Sequence, residues 1–178
     1  MRSPEEAMIH KVCFSHGKLG TPDGGKIKYL SAIARQKGWQ VESLDYQHTM
    51  DPDKRLEILR HHAPQGSGGG KLILAGSSMG GYISTAASNW LRPDGLFLLA
   101  PAFYLPGYKV RDPDPNGAQV VMVHGWSDDT VPPAHALRFA QKYQPRLIMV
   151  NSDHRLRDVW PIIGEAFGRL LDEVGGEG

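Results

Sequence analysis

Residues 76–80 read Gly-Ser-Ser-Met-Gly, set between the apolar run Leu72-Ile73-Leu74-Ala75 and a segment, Met79–Trp90, that reads as a helix. A hydroxyl between glycines at a strand-to-helix junction can be held at the apex of a sharp, strained turn, where it is free to act as a nucleophile. Such a turn brings strand and helix nearly into contact. The residues two before and two after the apex must then be very small. Ser78 meets that condition with Gly76 and Gly80. Ser77 would have Ala75 and Met79 there, and Met79 would crowd the turn. Ser78 is the expected nucleophile and Ser77 a small spacer. The plainer alternative is a glycine-rich turn with a solvated hydroxyl; the flanking strand and helix favour the elbow.

A serine hydroxyl is a weak nucleophile near neutral pH and needs a base. After an elbow of this kind the partners follow in the order serine, acid, histidine. The histidines beyond Ser78 are His124, His135 and His154. The acid must precede the histidine, which demotes His124 to shaping the turn before Gly125. His135 falls inside a predicted helix, as a surface or packing residue. His154 follows the last predicted strand and is the expected general base. No glutamate lies between Ser78 and His154. Asp94 precedes its strand and is at the wrong end of it. Asp153 adjoins His154 and is badly placed to reach its ring. Asp112 and Asp114, in a long loop, and Asp128 and Asp129, directly after a strand, remain.

These residues need a scaffold. Short apolar runs, read as strands, alternate with amphipathic stretches, read as helices. The expected strands are Met8–Phe14, Trp39–Leu44, Leu72–Ala75, Gly95–Ala100, Val120–His124 and Leu147–Val150. The expected helices are Pro22–Lys37, one starting at Asp51-Pro52, Met79–Trp90, Pro132–Tyr143 and Val159–Val174. Residues 66–70 are expected to form a flexible connection, and 101–118 to be irregular and too short for a lid. Strands separated by helical crossovers imply a mostly parallel six-stranded sheet with helices on both faces, a three-layer α/β sandwich. In such a sheet the ligand site lies beyond the carboxyl ends of the strands. Ser15-His16-Gly17-Lys18, Gly76–Gly80, Gly125–Asp129 and Asn151–His154 all fall there.

With Ser78 and His154 so placed, the run His124-Gly125-Trp126-Ser127-Asp128-Asp129-Thr130-Val131-Pro132 resembles a second motif of a known family. The chain is similar to the α/β-hydrolases, specifically small lidless serine hydrolases of the esterase/thioesterase kind. Many of these carry His-Gly-x-x-Asp-x-x-Val-Pro here, with the acid at the Asp. The resemblance spans nearly the whole chain, which begins at the family's third strand. It implies that Asp128 is the acid, and leaves Asp129 to cap the next helix or face solvent. Phe14-Ser15-His16-Gly17 resembles the family's first oxyanion loop, which implies the backbone N–H of Lys18 as one oxyanion donor. The N–H of Met79, directly after the nucleophile, is the other. His16 then shapes the loop. Trp126, Phe103 and Tyr104 are candidates to line a substrate pocket, with ordinary loop packing as the competing role.

The expected activity is cleavage of carboxylic esters or thioesters of small soluble substrates through an acyl-enzyme. A peptidase or amidase on the same three residues, acyl transfer to another alcohol, and a non-catalytic binding protein are the alternatives. Composition narrows the rest. The chain has 178 residues, expected as a single domain over 1–178. Hydrophobic residues are 40% and charged residues 22%, with a net charge of +1, so neither nucleic acid nor an anionic membrane is an expected partner. Cys13 is the one cysteine and reads as a buried thiol, which suits a reducing compartment. The segment Met1–Glu6 is polar, with no signal-peptide stretch behind it, so a cytoplasmic location is expected, and a monomer is the default expectation. No cofactor or metal is expected. Gly66–Lys71 precedes its strand and lacks phosphate-loop spacing, and the adjacent His61 and His62 lack ligand spacing.

Overall fold

The computed structural model describes residues 7–176; the segment Met1–Glu6 lies outside them. In chain order the elements are β1 (Lys11–Ser15), α1 (Gly25–Gln36), β2 (Gln40–Leu44), α2 (Pro52–His62), β3 (Leu72–Ser77), α3 (Met79–Leu91), β4 (Gly95–Leu99), β5 (Gln119–Gly125), α4 (Pro133–Tyr143), β6 (Arg146–Val150) and α5 (Trp160–Gly175). The strands form one open sheet in the order β2-β1-β3-β4-β5-β6. Every neighbouring pair is parallel, so the sheet is fully rather than mostly parallel.

Side chains alternate across a strand, so each strand feeds two layers. Val12, Phe14, Ile73, Ala75, Phe97, Leu99, Val121 and Val123 join Leu30 and Ala34 of α1 and Phe167, Leu170 and Leu171 of α5 in one core. Cys13, Leu72, Leu74, Leu96, Leu98, Val120 and Met122 join Leu56 and Leu59 of α2, Tyr82 and Ile83 of α3 and Phe139 of α4 in the other. A strand buried on both faces reads as a continuous apolar run, as Gly-Leu-Phe-Leu-Leu of β4 does.

Three expectations shift. β1 begins at Lys11, because Ile9 instead forms an isolated antiparallel bridge with Ser67. That bridge, with Ile9 N–H donating to the Ser67 carbonyl at 2.9 Å and Ser67 N–H returning at 3.0 Å, makes 66–70 an anchored turn rather than a flexible connection. Helix α1 starts at Gly25, because the Gly24 amide closes a turn onto the Thr21 carbonyl at 3.2 Å. Residues 101–118 contain neither helix nor strand. They are pinned to α3 by Val110 N–H on the Tyr82 hydroxyl at 3.0 Å and by the Ser88 hydroxyl on the Asp114 carbonyl at 2.8 Å. Among the described residues no helix is long and apolar enough to cross a membrane.

Candidate active site

Ser78 stands between β3 and α3 with φ 54° and ψ −116°. That conformation is unfavourable for any residue with a side chain, and it persists only where the surroundings enforce it. Here the Ser78 N–H donates to the Leu99 carbonyl at 2.9 Å, and its own carbonyl accepts from Ala102 at 2.9 Å. The neighbouring glycines permit the turn. A Cβ on Gly76 would overlap the Gly80 carbonyl, and one on Gly80 would overlap the Ser15 carbonyl and lie 2.8 Å from that of His16. Ser77 ends β3, one residue short of the apex.

The loop after β6 carries His154 to the same point. Its Nε2 lies 3.0 Å from Ser78 Oγ and its Nδ1 lies 2.8 Å from Asp128 Oδ2. A carboxylate accepts, so Nδ1 carries the proton and the Nε2 lone pair receives the Ser78 hydroxyl. The Asp128 side chain is fully buried, whereas that of His154 is 19% exposed. Asp128 Oδ1 accepts from the amides of Thr130 at 2.9 Å and Val131 at 2.8 Å. Burial alone would raise this carboxyl. The hydrogen bond from His154, the two amides and the attraction of the His154 charge together hold it below the ordinary carboxylate value.

Two histidines act on the backbone. His124 Nε2 lies 2.9 Å from the Val131 carbonyl and 3.3 Å from Asp128 Oδ2, so it donates toward both and closes the turn that carries Asp128. Burial pushes its pKa down. His16 Nδ1 donates to the Gly17 carbonyl at 2.8 Å, and its Nε2 accepts from the Tyr46 amide at 2.9 Å. Burial lowers its pKa against the raising effect of the Gly17 bond. Both ring nitrogens of His16 are committed, and the ring is neutral.

The turn 17–20 rests on the elbow. A Cβ on Gly17 would lie 3.4 Å from the Ser77 carbonyl oxygen and 3.7 Å from Ser78 Cβ. The Lys18 amide follows directly, and the Lys18 side chain is exposed. Met79 is the first residue of α3, where an amide has no intrahelical partner and the helix dipole favours negative charge.

The remaining candidates fall elsewhere. Asp112 pairs with Lys142 and accepts from the Tyr104 hydroxyl at 3.0 Å. Asp129 is exposed, and the N-cap of α4 is Pro132, so Asp129 does not cap that helix. His135 Nδ1 donates to the Phe103 carbonyl at 2.7 Å, on the side of α4. Of the three pocket candidates, Trp126 is 55% exposed, two residues before Asp128. Tyr104 is half-buried under Arg138, 4.0 Å from its ring centre. Phe103 is fully buried and stacks on Phe139 at 4.6 Å, so it belongs to the core and its expected place in a pocket lining has no support. No group of three or more metal-ligating side chains occurs among the described residues.

Sequence reasoning missed two supports. Lys26 of α1 donates to the Arg155 carbonyl at 2.8 Å and so braces the His154 loop; burial lowers its ammonium to about 8. Arg55 of α2 is fully buried and binds the loop after β1. Both act on carbonyl oxygens, which leave no mark on residue type.

Neither a protein-family model nor a curated protein matches the chain. Solved structures do. A protein of Xanthomonas campestris pv. campestris, assigned to the hydrolases of the alpha/beta superfamily, is 28% identical over 92% of this chain and 99% of that one, with a TM-score of 0.85. Est1E from Butyrivibrio proteoclasticus, with ferulic acid bound, is 18% identical over 96% and 90% of the two chains, with a TM-score of 0.73. Mouse alpha/beta hydrolase domain-containing protein 10 is 18% identical over 97% and 94%, with a TM-score of 0.70. With the parallel sheet and its strand order, the first of these likenesses gives the chain the fold of the α/β-hydrolase superfamily in a small, lidless form.

Proposed function

We propose that the protein is a serine hydrolase that cleaves carboxylic esters or thioesters of small soluble substrates through Ser78, His154 and Asp128. One observation carries this reading: an unbroken hydrogen-bonded line runs from Ser78 Oγ to His154 Nε2 at 3.0 Å and from His154 Nδ1 to Asp128 Oδ2 at 2.8 Å. The likeness to a protein assigned as a hydrolase supports the same class.

In this mechanism Ser78 Oγ attacks the acyl carbon while its proton passes to His154 Nε2. The imidazolium is stabilised by Asp128, which keeps its charge throughout. The carbonyl oxygen becomes an oxyanion and accepts from the Met79 and Lys18 amides. The bond to the alcohol or thiol breaks, and the leaving group takes the proton from His154. Water then attacks the acyl-enzyme, giving its proton to His154, and the second tetrahedral species collapses to release the acid as His154 returns that proton to Ser78 Oγ. The partly exposed Ser78 and His154 suit substrates that arrive from solution without a lid to open.

Matched short-chain acyl esters, thioesters and amides test the reading. Turnover of the ester or thioester that disappears in Ser78→Ala is the expected result. Faster cleavage of the amide would favour a peptidase. No turnover of any of the three by folded protein would favour a binding protein.

A further inference from the structure

Among the described residues Arg55 is the largest fully buried side chain, and none of its hydrogen-bond partners there is a carboxylate. Its Nε donates to the Thr49 carbonyl at 2.8 Å. Its Nη1 donates to the carbonyls of His16 at 3.3 Å and Gly17 at 3.1 Å, and its Nη2 to that of Lys18 at 3.0 Å. A guanidinium taken out of water with no carboxylate hydrogen-bonded to it is costly, so its place is set by what its planar fork holds. It holds three consecutive carbonyls of the loop that lies on the elbow.

Peptide units are planar and trans, so C=O and N–H of one unit point in opposite directions. No cis bond occurs among the described residues. The Gly17 carbonyl points at Arg55, and the Lys18 N–H of the same unit therefore points away from it. The Gly17 carbonyl also accepts from His16 Nδ1 at 2.8 Å and from the Gly20 amide at 3.1 Å. Three donors gather on one carbonyl, and a positive charge is among them. That charge also polarises the unit, which strengthens its N–H as a donor.

We propose that Arg55 is a positioning residue for the reaction: its guanidinium fixes the Gly17–Lys18 peptide so that the Lys18 amide is aimed as an oxyanion donor. This rests on the serine-hydrolase reading above. Arg55 touches no reacting atom. Its fork spans three carbonyls, whereas a lysine reaches one, so charge alone does not replace it.

The test compares wild type, Arg55→Lys and Arg55→Met on a short-chain acyl ester, with active sites counted by a fluorophosphonate titration. Removing an oxyanion donor outright costs about 10²–10³ in kcat, and misaiming one is expected to cost about tenfold or more. Both variants should show that loss per active site with KM little changed. An alkyl boronic acid, which forms a tetrahedral anion on the serine, should weaken in parallel. A purely structural role would lower the fraction of titratable sites and leave kcat per site unchanged, and that result overturns the proposal. Wild-type kcat in Arg55→Lys overturns it as well. Should both variants fail to fold, nitrogen-15-labelled wild type gives the second readout. Boronate binding should move the Arg55 guanidinium proton resonances, and unmoved resonances overturn the proposal. A wild type with no turnover, or Ser78→Ala with full turnover, would remove the underlying reading and this inference with it. A normal wild type and inactive Ser78→Ala beside unimpaired Arg55 variants would remove this inference alone.

Discussion

Gly80 of α3 and Ser15 of β1 are packed backbone against backbone: a side-chain carbon on Gly80 would overlap the Ser15 carbonyl oxygen. This contact seats the start of α3, and with it the Met79 amide, on the strand that leads into the 17–20 turn. Neither partner is the end of a flexible side chain, so neither can yield. Overpacking a core typically costs about 1–3 kcal/mol, and backbone on backbone belongs at or above the top of that range. Gly80→Ala is expected to lose about 3 kcal/mol or more in urea unfolding, with any folded fraction impaired in turnover. Wild-type stability in Gly80→Ala would mean that the elbow is looser than described.

Asp128→Asn tests the acid. The asparagine keeps the shape but cannot fix His154 with its proton on Nδ1. A loss of about 10⁴-fold in kcat is expected, as for tautomer errors in such sites. Asp129→Asn, which alters an exposed carboxylate, should leave kcat near wild type.

The same carboxylate gives a pH signature. Its pKa in the folded protein is held below the ordinary 3.8, so it binds protons more weakly folded than unfolded. The stability it confers is therefore present above about that ordinary value and is lost as pH falls through the depressed one. The difference in stability between wild type and Asp128→Asn should be about 1–3 kcal/mol at neutral pH, in the range of hydrogen bonds to a buried charge. It should shrink as pH drops below the ordinary carboxylate value. Thermal unfolding of both proteins across an acid series measures it, and a gap that widens toward low pH would contradict the assignment.

Cys13 is buried in β1, and burial, helped by the Glu42 charge, pushes its thiol up to about 12. The reactive thiolate is then scarce at pH 8. A disulfide reagent should leave the native protein unmodified and modify one thiol per chain in denaturant. Fast labelling of the native protein would place Cys13 nearer the surface.

The elements were legible where local pattern and tertiary burial agree. Leu72–Ala75 and Gly95–Ala100 read as strands because both of their faces are covered by helices. The start of β1 was not legible, since Ile9 pairs with Ser67 far along the chain and no local pattern contains that. The start of α1 was masked by Pro22, which fits a first helical turn as well as the turn it occupies. The elbow was legible because close approach forces glycine at two fixed positions. Asp128 was not singled out by spacing, which left four aspartates; only the motif resemblance chose among them. Arg55 left no trace, because its partners are carbonyls 6 to 39 positions away. Phe103 misled because an aromatic in a loop can face a ligand or the core, and here the loop folds back onto Phe139.

The most direct test of the central claim is the intact mass of the protein after exposure to a fluorophosphonate, with wild type, Ser77→Ala, Ser78→Ala and His154→Ala side by side. One adduct is expected in wild type and in Ser77→Ala, none in Ser78→Ala, and a much slowed reaction in His154→Ala. No adduct on folded wild type, or an adduct lost in Ser77→Ala and kept in Ser78→Ala, would contradict it.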